Sequence, residues 1–208
     1  LISCVPNQRN LIFLFFFSVL LPNVLFSQNF LKTSGRNIIN QNGDTIVLRG
    51  IGLGGWMVQE GYMMAPGGFS GTQFQIKDKI TDLIGEEETE KFYDNWLKNH
   101  VRKIDIDSMK SWGFNLVRVP IHYNLFTAPI EDELFPGSYT EIEKGYKLLD
   151  SLLEWCKANE MYMMIDLHAA PGGQGYNADI SDYDTSKYSL WESGANQDKT
   201  VELWKRLS

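Results

Sequence analysis

Apolar and polar positions follow two spacings along this chain, and the switches between them mark the elements. Short, mostly apolar runs stand at 49–56 (RGIGLGGW), 114–120 (FNLVRVP) and 161–168 (MYMMIDLH). Runs of that length without polar alternation predict strands buried on both faces, the kind found in parallel sheets. Between them the apolar interval widens to three and four. FQIKDKITDLI stops at Gly85, EEETEKFYDNWLKNH follows, and IDSMKSW closes at Gly113. Ile142, Tyr146, Leu149, Leu153 and Cys156 keep the same interval, which predicts an amphipathic helix within 139–160; QDKTVELWKRL (197–207) predicts another. Asp105 is the expected N-cap of the helix closing at Gly113, Gly113 its C′ residue, and Pro120 the expected end of the second strand. Ahead of these, RNIINQNGDTIVL (36–48) reads as strand, Asn-Gly turn and strand, a β-hairpin.

Strand, loop and helix thus recur three times, the pattern of a parallel sheet covered by helices in an α/β fold. A doubly wound sheet and a (β/α)8 barrel both fit it. GLGG runs into Trp56 and a long excursion, so the dinucleotide fingerprint G-x-G-x-x-G is missing after the first strand.

The N-terminal segment breaks from this pattern. Arg9 precedes LIFLFFFSVLLPNVLF, an apolar run of 16 residues, and Ser27-Gln28 follow. A positive flank, a short apolar stretch and a small residue before polar sequence predict a secretory signal peptide over 1–27, leaving 28–208 as the mature region. An uncleaved membrane anchor is the alternative, for which the run is short. Cys4 would leave with the signal, so Cys156 is expected to remain as a lone, buried and inert thiol. The chain begins with Leu rather than Met, and is expected to be part of a longer reading frame. Its formal charge of −7 argues against nucleic acid or an anionic membrane surface as partner. Six Trp and nine Tyr beside that charge suit a neutral, polar ligand stacked on rings.

Candidate chemistry gathers where the apolar strands end. Residues two apart on a strand face the same way, so Asp166 and His168 share a face, as do Phe114, Leu116 and Arg118. Arg118 stands between Val117 and Val119, and burying its charge costs several kcal/mol unless acceptors answer it. The bland readings are an ion pair of Arg118 with Asp166, a satisfied core histidine at 168, and a solvated loop acid at Glu60. Against them, three strands each deliver a polar residue at or just beyond the carboxyl end: Glu60, Arg118 and His168. In parallel α/β folds that edge carries the active site. The three histidines, His100, His122 and His168, form no i, i+4 pair, and no C-x-x-C or G-x-S-x-G occurs; no metal or cofactor is expected.

LRGIGLGGWMVQEGYM, WGFNLVRVPIHYNLF and MMIDLHAAPGGQGYN, in that order, resemble the N-terminal part of glycoside hydrolase family 5. The resemblance is to its exo-β-1,3-glucanase-like and bacterial β-glucan-cleaving members, and covers roughly residues 36–208. It implies a secreted (β/α)8 barrel, monomeric when full length, that cleaves β-linked oligo- or polysaccharides with retention of configuration. Carried over, Arg118 is the arginine beside the nucleophile and His168 lines the −1 sugar site. Asp166, for which a structural role bonding backbone amides or Arg118 is expected from the residues, is then the support of His168. Glu60 and Tyr62 contact the terminal sugar, although Gly61 stands where those members usually have Pro. Tyr62, Tyr123 and Trp191 are candidate stacking surfaces for sugar rings.

The resemblance also places an acid/base glutamate after an Asn at the end of a fourth strand, and a nucleophile at the end of a seventh. The chain shows no fourth strand ending in that pair. Both catalytic glutamates are therefore expected downstream of Ser208. Three of eight strand–helix units are expected here, where such a barrel takes ~250 residues, and the fragment alone is expected to be inactive. A non-catalytic carbohydrate-binding protein, or a barrel hydrolase for β-mannan or a glycolipid, remain as alternatives.

Overall fold

The computed structural model describes residues 30–64 and 71–208; the expected signal segment 1–27 lies outside the described residues. The chain divides into two compact units, 1–47 and 48–208.

In the first unit, β1 (Lys32–Ser34) pairs antiparallel with β2 (Asn37–Ile39) across a turn in which Gly35 takes φ +59°. The expected Asn-Gly hairpin is present only in outline. Ile39 bridges Thr45, Ile46 N–H donates to Ile38 O at 2.8 Å, and the Asn40 side chain accepts from Asn42 N–H and Asp44 N–H at 2.9 Å. That side-chain cap holds the turn without a second regular strand. β1 carries the sequence KTS, which has no apolar alternation to betray it.

The second unit is built on a parallel sheet of β3 (Gly50–Gly52), β4 (Leu116–His122) and β5 (Tyr162–Ala169), in that spatial order. Between β3 and β4 come α1 (Gly61–Met64), α2 (Gln73–Ile84), α3 (Glu86–Asn99) and α4 (Lys103–Ser111). α5 (Glu143–Ala158) joins β4 to β5, and α6 (Ala178–Ser181) and α7 (Gly194–Leu207) follow β5. Val117, Val119 and Ile121 of β4 are fully buried in one cluster with Ile106 of α4, Leu152 and Cys156 of α5, and Leu203 of α7. The intervening residues, Arg118, Pro120 and His122, belong to the opposite face. β5 repeats the division: Met163, Ile165 and Leu167 pack against the cluster, while Met164, Asp166 and His168 alternate with them.

Local rules account for the helix ends. Thr72 accepts from Gln75 N–H at 3.4 Å while the Gln75 side chain accepts from Thr72 N–H at 3.2 Å, a capping box opening α2. Asp105 is not an N-cap: α4 begins two residues before it, and its carboxylate reaches back to Arg102 N–H at 2.7 Å from the third helical position. Gly113, at φ +90°, does stand at C′, with Gly113 N–H donating to Lys110 O and Phe114 N–H to Met109 O, a Schellman closure.

Pro120 does not end the second strand, which runs on to His122. On the β3 side, Leu53 N–H donates to Arg118 O at 2.8 Å and His122 N–H to Met57 O at 3.2 Å. Pro120 falls between these two bonds, where the chain after β3 leaves the sheet for the turn at 53–56. Its missing N–H therefore has no partner to lose.

Candidate functional site

The chain leaving β3 is tied to α3 before it reaches the site. Trp56 Nε1–H donates to Leu97 O, and Trp96 Nε1–H to Gly55 O, both at 2.8 Å. Gln59 follows, buried, with its N–H donating to Gln73 Oε1 at 2.7 Å and its own Oε1 accepting from Tyr93 O–H at 2.9 Å. Next is Glu60, only 4% exposed and so not a solvated loop acid; its carbonyl accepts from Met63 N–H at 2.9 Å as α1 begins.

Glu60, Arg118, Asp166 and His168 come together. One guanidinium nitrogen of Arg118, Nη2, donates to Asp166 Oδ2 and lies 3.2 Å from His168 Nδ1. His168 Nδ1 is also 2.9 Å from Asp166 Oδ2, while its Nε2 stands 3.6 Å from Glu60 Oε1. With the proton on Nδ1 the ring donates to Asp166; with it on Nε2 the ring accepts from Arg118 and points N–H toward Glu60; with both nitrogens protonated it spans the two carboxylates. The Arg118–Asp166 ion pair, one of the bland readings of the sequence, is therefore present. Arg118 is not buried as its apolar neighbours imply: its side chain is 44% exposed and that of Asp166 29%. Both residues line a cleft of about 390 Å³ along β5, with Gln174, Trp191 and Trp204.

The loop after β5 is shaped by Gly172 and Gly173, at φ +79° and +74°. A Cβ on Gly172 would come within 2.9 Å of Leu190 N, and one on Gly173 within 2.7 Å of Tyr183 Cβ. The positive φ and the tight contact both call for glycine. Gln174 then folds back: its side chain accepts from Ala170 N–H at 2.9 Å and donates to His168 O, bracing the end of β5.

The three aromatic candidates separate. Tyr62 is exposed beside Glu60; desolvation first, then the Glu60 carboxylate, raises its phenol above the ordinary value. Trp191 is exposed at the cleft, its Nε1–H held by Gln174 O at 2.7 Å. Tyr123 packs against the core and stacks on His122 with centroids 5.0 Å apart. Among the described residues it shares no hydrogen bond or ring contact with the Glu60–Arg118–His168 cluster. Cys156 is buried and free, and burial pushes its thiol up to about 11.

Three features escaped the sequence reading. His122, buried, lies 2.8 Å by Nε2 from Asp182 Oδ2, and Asp182 Oδ1 accepts from Phe74 N–H at 2.9 Å. The signal for His122 was available, since Arg118, Pro120 and His122 share a strand face; nothing in the long loop singled out Asp182. Second, Lys199 of α7 and Glu133 form a buried pair. Lys199 Nζ also donates to Ala128 O at 2.8 Å and Thr127 Oγ1 at 3.2 Å. Third, the chain does contain one Asn-Glu pair, Asn159-Glu160. It sits in the turn after α5, ahead of β5, with Asn159 capping that helix. That is the edge opposite the cluster, so the pair does not match a strand-end acid/base. Among the described residues no group of three or more His, Cys, Asp or Glu could hold a metal ion.

The family Cellulase (glycosyl hydrolase family 5) matches residues 70–207. A β-xylosidase of Phanerodontia chrysosporium is 37% identical over 180 residues, which are 86% of this chain and 36% of that protein. Glucan 1,3-beta-glucosidase 2 of Saccharomyces cerevisiae is 32% identical over 152 residues, 63% of this chain and 26% of that protein. The chain thus spans about a third of the length of the curated relatives it matches. The crystal structure of a rutinosidase from Aspergillus niger superposes with a TM-score of 0.58 at 19% identity, over 76% of this chain and 42% of that one. The three parallel strand–helix units are thereby part of a (β/α)8 barrel.

Proposed function

We propose a function from a fixed premise: the chain belongs to glycosyl hydrolase family 5. It supplies the sugar-binding wall of a retaining β-glycosidase acting on β-glucans or related β-linked saccharides. The observation that carries this reading is the meeting of Glu60, Arg118 and His168, from three successive strand ends, in one cluster. Relatives named β-xylosidase and glucan 1,3-beta-glucosidase support a β-linked substrate.

Retaining cleavage uses one ionised and one protonated carboxyl group about 5–5.5 Å apart. We assign those roles to glutamates of the complete protein beyond these residues. Arg118 engages Asp166 through Nη2, and its remaining donors keep a neighbouring nucleophile ionised, since a guanidinium stabilises the charged form of a carboxyl group. His168 and Glu60 grip hydroxyls of the terminal sugar, with Tyr62 beside them and Trp191 as a stacking face at the cleft. Residues 1–27 act as a secretory signal, and the mature protein works outside the cell as a monomer.

The test is hydrolysis by the complete protein of β-1,3-, β-1,4- and β-1,6-linked glucans and of aryl β-glucosides and β-xylosides, with the first product's anomer read by NMR. Release of the β-anomer first is expected. No hydrolysis of any β-glycoside, or the α-anomer first, overturns the reading.

A further inference from the structure

Asp182 stands in the loop after β5, and its carboxylate joins that loop to two segments distant in sequence, 108 and 60 residues away. Oδ1 accepts from Phe74 N–H at the start of α2, and Oδ2 meets His122 Nε2 at the end of β4, while Asp182 itself follows α6 in the loop after β5. The proton on this contact can be assigned. His122 Nδ1 accepts from Asn124 N–H at 3.1 Å, so Nε2 carries the hydrogen and donates it to Asp182. Both oxygens are therefore committed to donors, and an amide in place of the carboxylate would satisfy at most one of them.

The backbone points the same way. Asp182 is held in the left-handed region at φ 50°, ψ 40°, a conformation that is strained for a residue with a side chain and persists where the surroundings enforce it. From Phe74 the connection reaches Glu60 in two short steps. Gln73, next to Phe74, accepts from Gln59 N–H, and Gln59 adjoins Glu60. Tyr93 O–H holds the Gln59 side chain from α3. Among the described residues Gln59 Nε2 is buried without a partner, so there Gln59 keeps its place at the expense of one unmet donor.

We propose that Asp182 is a positioning residue. It clasps the loop after β5 to the start of α2 and, through Gln73 and Gln59, fixes the Glu60 carboxylate against His168. The inference rests on the glycosidase reading above. It predicts that Asp182 acts on turnover through Glu60 rather than through global stability.

The experiment compares Asp182→Asn, Glu60→Gln and the double variant of the complete protein on an aryl β-glycoside, with thermal unfolding measured alongside. Asp182→Asn is expected to lower kcat/KM by roughly 10-fold while its Tm stays within about 3 °C of wild type. In the Glu60→Gln background the same change should cost less than about twofold, because residues acting as a unit are not additive. His122→Gln, whose amide can donate near the position of Nε2, should keep activity, and His122→Leu should lose it as Asp182→Asn does. Unchanged kinetics in Asp182→Asn, or a full 10-fold loss repeated on top of Glu60→Gln, overturns the proposal. So does failure of both Asp182→Asn and His122→Leu to fold, which makes the clasp structural. A wild-type protein that cleaves no β-glycoside overturns the glycosidase reading and this inference with it, whereas an active wild type equalled by Asp182→Asn overturns the inference alone.

Discussion

Two clusters in this molecule pair a long cation with a carboxylate, and they are built to opposite specifications. The side chains of Lys199 and Glu133 are each 3% exposed, and their polar atoms are answered. Lys199 has Thr127 Oγ1, Ala128 O and Glu133, and Glu133 also accepts from Thr140 N–H at 2.9 Å, Thr140 Oγ1–H at 2.7 Å and Ser138 Oγ–H at 2.9 Å. Arg118 and Asp166 are part-exposed, share a single guanidinium nitrogen with His168, and border a cleft. A saturated, dry pair can only hold structure, here the loop before α5 against α7. A part-exposed pair whose guanidinium has, among the described residues, donors to spare can take up another ligand. Accessibility and unused valence distinguish the two, since both contain a formal ion pair.

The contrast breaks most visibly at the closed pair. Lys199→Ala leaves the Glu133 carboxylate buried without its cation, and is expected to destabilise the fold by about 3–5 kcal/mol. The joint replacement Lys199→Met with Glu133→Leu should recover most of that loss, because it removes both charges from the interior. Urea unfolding of the three proteins checks this; equal midpoints for wild type and Lys199→Ala would show that the pair holds nothing. At the open pair the effect moves to chemistry. Arg118→Ala in the complete protein should lower kcat/KM by roughly 10²–10³-fold, with little change in unfolding, because a part-exposed pair contributes about 0–1 kcal/mol to stability.

Legibility in the sequence follows the same division. β4 and β5 were readable because apolar residues filled a whole strand length, and Arg118, Asp166 and His168 stood out as the polar exceptions within them. α2 and α3 were readable from their apolar interval and from Gly85 between them. Lys199 was hidden because a lysine in QDKTVELWKRL looks like the solvated face of a helix. Its burial depends on Glu133, Thr127 and Thr140, which lie some 60 to 70 positions away. Asp182 was hidden for a similar reason: its partners Phe74 N–H and His122 are 108 and 60 residues distant. Pro120 misled because the rule that proline ends a strand assumes a partner at that position, and the turn after β3 takes the partner away.

A gentler way to sharpen the contrast is acid. Hydrogen bonds from Lys199, Thr140 and Ser138 outweigh desolvation and hold the Glu133 carboxyl down at about 2. A carboxyl whose pKa is lowered on folding binds fewer protons in the folded than in the unfolded state. Its contribution is therefore full above the ordinary glutamate range and is lost as pH falls from about 4.5 toward 2. The urea midpoint of wild type should drop across that window more steeply than that of Glu133→Gln. Parallel curves for the two proteins would remove Glu133 from the account of acid stability.

The smallest expected effect belongs to the rim of the open cluster. Tyr62 is largely exposed, and its phenol is raised first by desolvation and then by the Glu60 carboxylate, whereas Glu60 itself is buried. Tyr62→Phe keeps the ring and removes only the hydroxyl. The loss should be that of a single hydrogen bond, about 0.5–1.5 kcal/mol, read as a rise in KM of a few-fold with kcat held. Tyr62→Ala should add the loss of the ring as a stacking surface, whose size in a sugar complex scales with the area it covers. If Tyr62→Phe alone matched the loss seen in Arg118→Ala, the hydroxyl would have to act on the reacting atoms. The boundary of the open cluster would then have to be redrawn to include α1.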